Sequence, residues 1–262
     1  MPEIVDSLAN VEAQIAQAER LWLFLDYDGT LADFASTPDE ILPNPEVISL
    51  IETLHAAPWI RVAVVSGRRL GHVEKLVPVS GILLAGTYGI EMKLPSGEHI
   101  ERVAHERIRP TLDALKPQWA GLIAPREGFY LEDKGWAIAL HARYAENAVA
   151  EQVLAQARRQ AEDEITGDLF RILGGHKFLE VGPRLANKGK TIDYLVEAYA
   201  WPEALLLYVG DDDKDEEAFE IIQKHGGLAV VVSEQPRPTL ADGRLPSPSA
   251  VRAWLASLPD MH

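Results

Sequence analysis

Consecutive apolar residues recur along the chain in short runs: LWLFL at 21–25, IRVAVV at 60–65, GILLAG at 81–86, ALLLYVG at 204–210 and GLAVVV at 227–232. Runs of this length without polar alternation predict strands buried on both faces, as in a parallel sheet. Between them lie segments whose apolar positions return at helical spacing: PNPEVISLIETLHAA, RRLGHVEKLV, KGKTIDYLVEAY and DEEAFEIIQKHG, with an amphipathic helix over 4–20 ahead of the first strand. Strands and helices in alternation are the pattern of a doubly wound α/β sheet.

After about residue 95 the rhythm changes. HERIRPTLDALKPQWAGLI predicts a helix, and FYLEDKGWAIALHARY two strands around a turn at Lys134-Gly135. ENAVAEQVLAQARRQAED predicts a second helix, and FRILGGHKFLEVGP a second hairpin with Gly174-Gly175 at its turn. Helix, hairpin, helix, hairpin describes an α+β layer on an antiparallel sheet. The expected organisation is therefore an α/β core from residues 1–95 and 184–262 with an α+β insertion at 96–183. The Pro-rich SEQPRPTLADGRLPSPS reads as a surface connection before a last helix.

Composition narrows the function classes. The chain has 262 residues, 47% of them hydrophobic, which supports a sizeable core. A formal net charge of −15 argues against nucleic acid as a partner, because polyanion binders present excess Lys and Arg. There is no cysteine, which removes disulfides, thiolate metal sites and a cysteine nucleophile and suits a reducing cytoplasm. No stretch approaches the roughly 20 apolar residues of a membrane span, and the acidic N-terminal segment lacks the pattern of a signal peptide. The expectation is a cytoplasmic protein, a monomer or weak oligomer, acting on a small molecule.

In an open α/β sheet, ligands bind beyond the carboxyl ends of the strands. Asp26 and Asp28 follow the first strand, Ser66-Gly67-Arg68 the second and GDDDKDE (210–216) a later one, while Lys188 opens a helix. A carboxylate there can attack phosphorus to give an aspartyl phosphate. A second carboxylate two residues on can protonate the leaving oxygen and then deprotonate water. Because these groups and the phosphate are all negative, cations must screen them, a lysine and Mg²⁺ held by oxygen ligands. Asp211, with Asp212 or Asp215 near it, supplies further carboxylate ligands, and Ser66 can donate to a phosphoryl oxygen.

The set DYDGT, SGR, Lys188 and GDDDKD resembles the four motifs of the haloacid dehalogenase (HAD) superfamily. More narrowly, FLDYDGTLADF, VAVVSGR, GTYGIE, NKGKTIDYLV and VGDDDKDEEAF are similar to the trehalose-6-phosphate phosphatase family. The resemblance implies a Rossmann-like HAD core with a parallel sheet and an inserted α+β cap domain of the C2 type. It implies Asp26 as nucleophile and Asp28 as general acid/base. Mg²⁺ would lie on the Asp26 side chain, the Asp28 backbone carbonyl and Asp211, with Asp215 as outer or water-mediated support. Ser66 and Lys188 would hold the transferring phosphoryl group, and Arg68 would contact substrate. Glu132, Lys134, His141, Arg143 and Glu180 fall where the family's cap presents sugar-binding residues.

Three positions depart from the family's usual pattern. Glu180-Val181-Gly182-Pro183 lacks the arginine often found before the proline, Lys214 replaces a threonine ahead of Asp215, and Tyr88 stands where histidine is frequent. Alternatives to trehalose 6-phosphate are another sugar phosphate, such as glucosylglycerol phosphate or a glycosyl-phosphoglycerate, a phosphomutase reaction, or a non-enzymatic phospho-receiver. The interval between Asp26 and Ser66 is filled by one helix and one strand, leaving no room for a helical cap there. The cap must fall between Ser66 and Lys188, and a receiver would have none.

Overall fold

The computed structural model describes residues 3–4, 7–33 and 42–261. Among these, the chain divides into two compact units, residues 1–100 with 187–262, and residues 101–186.

The first unit is built on an eight-stranded sheet. Its strands run in the spatial order Gly243–Leu245, Leu228–Val232, Leu205–Gly210, Leu21–Leu25, Ile60–Val65, Leu83–Gly86, Glu91–Lys93 and His99–Glu101. The first six pair in parallel, and Glu91–Lys93 joins Leu83–Gly86 antiparallel. The apolar runs are continuous because both faces are covered. Leu21, Leu23, Leu25, Val62, Val64, Leu207 and Val209 share one core with apolar residues of the helices Pro45–Ala56, Leu70–Leu76 and Pro248–Ser257. Trp22, Phe24, Ala63, Val65, Leu206 and Tyr208 share the other with those of Lys188–Ala198 and Asp213–Lys224.

Three sequence expectations are corrected here. The helix expected over 4–20 is confined to Ala9–Ile15, while Glu3–Ile4 pairs with Pro238–Thr239; residues 5 and 6 lie outside the described residues. The Pro-rich stretch is more than a surface connection. Gly243–Leu245 forms a strand of the large sheet, and a Cβ on Gly243 would lie 2.7 Å from a methyl of Leu8, so the residue's smallness admits the N-terminal segment. The units meet at 100/101 and 186/187, because Glu91–Lys93 and His99–Glu101 extend the large sheet past residue 95.

The second unit carries a four-stranded antiparallel sheet in the order Tyr130–Asp133, Ile138–His141, Phe178–Pro183 and Phe170–Gly175. The helices His105–Ile123 and Asn147–Glu164 pack together, with the Trp119 indole donating to the Ala157 carbonyl at 3.1 Å. Gly175 pairs with Phe178, so the second hairpin turns at His176-Lys177, with Lys177 at φ 54°, and not at Gly174-Gly175. Gly174 is instead a strand residue over which the Arg158 guanidinium passes; a Cβ there would lie 2.6 Å from its nitrogen. No described helix is long and apolar enough to cross a membrane.

Candidate active site

The strand Leu21–Leu25 ends at Asp26, whose backbone N–H still donates to the Val209 carbonyl at 3.0 Å, extending the ladder to the first carboxylate. The chain then folds back on itself. The N–H groups of Leu31 and Ala32 both donate to the Tyr27 carbonyl, and Gly29 takes φ +81°. A Cβ on Gly29 would lie 2.3 Å from Asp211 Oδ2, so the glycine lets the loop beyond Leu205–Gly210 approach. Thr30 is fully buried and its hydroxyl donates to Asp211 Oδ1 at 3.2 Å.

Carboxylate oxygens of Asp26, Asp211 and Asp215 lie within 4.8 Å of one another. Lys188, at the first position of its helix and 2% exposed, places its ammonium 2.9 Å from Asp26 Oδ1 and 2.6 Å from Asp215 Oδ1. Asp215 is heavily engaged: Oδ1 also accepts from the Tyr208 hydroxyl at 2.7 Å, and Oδ2 accepts from the N–H groups of Asp211 and Asp212, each at 3.0 Å. Such a carboxylate orients its neighbours more than it offers a lone pair. Asp212 caps the helix Asp213–Lys224 in a capping box with Asp215.

The electrostatics follow from this crowding. Burial, opposed by Lys188 but reinforced by Asp215 and Asp211, holds the Asp26 carboxyl well above its ordinary range. Asp211 is pushed up to about 7 by burial and by Asp215 and Asp212. Burial would raise Asp212 too, yet Lys188 and Lys214 bring it down to about 2. Lys188 sits well above its usual value, since Asp215 and Asp26 outweigh its own burial. The donors are all hard oxygens and carry excess negative charge, which fits a divalent cation such as Mg²⁺.

Asp28 and Arg68 are paired: the guanidinium reaches the two carboxylate oxygens at 2.6 and 2.7 Å. The Arg68 side chain therefore braces Asp28 in this structure. Ser66, 1% exposed, lies past the strand beside that of Asp26, where Leu25 is opposite Val64, and its hydroxyl oxygen accepts from the Arg68 N–H at 3.1 Å.

The trehalose-phosphatase family model matches residues 24–249, a span that includes every one of these groups. The chain belongs to the trehalose-phosphatase family. A probable trehalose-phosphate phosphatase of Sinorhizobium fredii is 31% identical over 241 residues, covering 90% of this chain and 86% of that protein. The trehalose-phosphate phosphatase of Mycobacterium bovis is 31% identical over 96% of this chain, which spans 64% of that longer protein's length. The C-terminal domain of a C. albicans trehalose-6-phosphate phosphatase, at 20% identity, matches with a TM-score of 0.85 over 99% of both chains. The fold is thus the HAD type, with the α+β segment inserted between the two parts of the core sequence.

On the second unit's sheet, the register sets Glu132 opposite Ala139 and Ala139 opposite Glu180, so both glutamates share one face. His141 Nε2 lies 3.0 Å from Glu132, and the Lys134 ammonium 2.7 Å from Glu180 and 3.9 Å from Glu132. Four of the five expected sugar-binding residues of this trehalose-phosphatase-family chain thus form one network. Glu132, Lys134 and Glu180 are buried, which for charged groups demands such pairing. Arg143 is apart from it, exposed, with its guanidinium 5.9 Å over the Tyr144 ring.

Sequence reasoning missed three contributors: Thr30 as the brace of Asp211, Tyr208 as a donor to Asp215, and the meeting of two of the family departures, Tyr88 and Lys214. Only the tyrosine carried a signal, a hydroxyl inside an apolar strand run.

Gly29→Ala is expected to disable the site. The left-handed backbone costs a Cβ-bearing residue about 1–2 kcal/mol, and the methyl would collide with Asp211. Displacement of the Asp211 carboxylate is expected to lower kcat/KM by about 100-fold, measurable by phosphate release alongside a urea melt.

Proposed function

We propose that this chain hydrolyses a sugar phosphate through an aspartyl phosphate on Asp26, with trehalose 6-phosphate as the substrate, in the cytoplasm. Family membership makes it a phosphatase, a phosphoric monoester hydrolase. The observation that carries the mechanistic reading is the buried Asp26 carboxylate held by Lys188 beside Asp211 and Asp215. That arrangement supports the reading, since a nucleophile needs a fixed position and phosphoryl oxygens need positive charge beside it.

In the first step an Asp26 oxygen bonds to phosphorus as the bond to the sugar oxygen breaks, and Asp28 donates its proton to that oxygen. In the second, Asp28 takes a proton from water, the hydroxyl oxygen bonds to phosphorus, and the acyl-phosphate bond to Asp26 breaks. Arg68 grips both Asp28 oxygens in this structure, so Asp28 gives up one of these hydrogen bonds while it carries the proton. Ser66 and Lys188 hold the phosphoryl oxygens. Mg²⁺ would lie on the side chains of Asp26 and Asp211 and the Asp28 carbonyl, with Asp215 as support, and supplies charge neutralisation when bound.

The inserted α+β unit is the cap, and its Glu132, Lys134, His141 and Glu180 network offers directional donors and acceptors suited to sugar hydroxyls. Arg143 adds an exposed cation from the same unit. Among sugar phosphates assayed for kcat/KM in Mg²⁺, trehalose 6-phosphate is expected to exceed glucose 6-phosphate by at least about 100-fold, because the smaller sugar lacks the second ring's hydroxyls as hydrogen-bond partners. Equal values would remove trehalose 6-phosphate as the substrate while leaving the phosphatase chemistry in place.

A further inference from the structure

The turn after strand Leu83–Gly86 is strained. Thr87, Tyr88 and Gly89 take φ of 47°, 55° and 87° in succession, a conformation that residues with a Cβ seldom adopt. Hydrogen bonds hold it. Thr87 N–H donates to the Arg68 carbonyl at 2.7 Å and Tyr88 N–H to the Ser66 carbonyl at 2.9 Å. The Thr191 hydroxyl donates to the Tyr88 carbonyl at 2.6 Å, and the Thr87 hydroxyl to Glu91 at 3.2 Å. The turn is thereby tied to the Ser66-Gly67-Arg68 loop and to the Lys188 helix.

What the strain achieves is the placement of one ring. Tyr88 is 4% exposed and lies across Gly67, where a Cβ would come within 2.7 Å of the ring edge. The Lys214 ammonium sits 5.9 Å above the same ring, within cation–π range, and 3.3 Å from Asp212 Oδ2. A lysine in the first turn of the helix Asp213–Lys224 opposes the helix dipole and is countered there by the capping Asp212. Lys188 with Asp26 and Asp215, and Arg68 with Asp28, are held in carboxylate pairs at 2.6–2.9 Å, whereas Lys214 pairs with Asp212 at the longer 3.3 Å. A phosphomonoester dianion entering beside these acids requires added positive charge.

We propose that Lys214, positioned by the Tyr88 ring, is a further substrate-binding residue, donating a charge-assisted hydrogen bond to an oxygen of the bound phosphate on its Ser66-Gly67 side. This rests on the phosphatase reading above. Lys214 is the substrate-contacting group, and Tyr88 is a positioning residue.

The test measures the Kd of inorganic phosphate by ³¹P NMR titration in Mg²⁺, with kcat and KM for trehalose 6-phosphate and a thermal melt, on wild type, Lys214→Met, Lys214→Arg, Tyr88→Leu and the Lys214→Met/Tyr88→Leu double variant. Lys214→Met is expected to weaken phosphate binding and raise KM about tenfold, equivalent to about 1.4 kcal/mol, with the larger effect on KM than on kcat. Lys214→Arg should restore most of the affinity. Tyr88→Leu should lose affinity too, with the double variant no worse than Lys214→Met alone. Phosphate affinity and KM within twofold of wild type in Lys214→Met would overturn the proposal, as would a lowered melting temperature with affinity retained. Wild-type protein that binds phosphate but leaves trehalose 6-phosphate intact would instead count against the substrate reading, and the phosphate titrations would still decide on Lys214.

Discussion

Asp26→Asn is expected to lower kcat on trehalose 6-phosphate by at least about 10⁴-fold, on the scale seen when a covalent nucleophile is removed, while the protein stays folded. The amide keeps the shape of the side chain but cannot form the acyl phosphate. Its effect on stability runs the other way. The Asp26 carboxyl is held well above its usual range by burial and by Asp215 and Asp211, only partly offset by Lys188. A carboxyl whose folded value is raised makes the fold less stable as pH climbs above the ordinary carboxylate range. Neutralising it removes that penalty, so without added Mg²⁺ at pH 7.5 the variant should melt no lower than wild type. A rise of about 2–4 °C would correspond to about 1 kcal/mol in a chain of this size. Activity within tenfold of wild type would sink the covalent mechanism; inactivity with a collapsed melt would leave Asp26 as a structural residue.

The elements of the α/β core were legible because their apolar runs are buried on both faces, so LWLFL and ALLLYVG needed no partner to be recognised. Short edge elements were not. Gly243–Leu245 has three residues, one of them charged, and becomes a strand only because Leu228–Val232 offers an unpaired edge. The hairpin turn at His176-Lys177 was hidden behind Gly174-Gly175, since glycine also serves where a neighbouring side chain passes over a strand. The acids of the site could be found from their places after apolar strands. Their partners could not: Thr30 with Asp211 and Arg68 with Asp28 are contacts between distant segments, fixed by the sheet order and absent from any local spacing.

Lys188→Met is expected to damage the site in activity and in stability together. The ammonium lies between Asp26 and Asp215, both buried, and its loss leaves two carboxylates facing each other without a countercharge. Removing one partner of a buried ion pair typically costs about 3–5 kcal/mol, or a fall in melting temperature of about 10 °C. The turnover loss should reach about 10³-fold, because in the proposed mechanism the phosphoryl oxygens lose a preorganised positive charge in a water-poor site. Lys188→Arg should recover little, since a planar fork does not match a point charge held at 2.6 and 2.9 Å from two separate oxygens. Catalytic and structural parts can be separated by adding Asp26→Asn to Lys188→Met. One of the stranded carboxylates is then neutral, and the double variant should melt higher than Lys188→Met by about 1–2 kcal/mol, the size of coupling expected between groups in contact, yet remain inactive. If the double variant were no more stable than Lys188→Met, the charge balance around Asp26 would not be what Lys188 supports. Wild-type turnover in Lys188→Met would remove it from the phosphoryl site altogether.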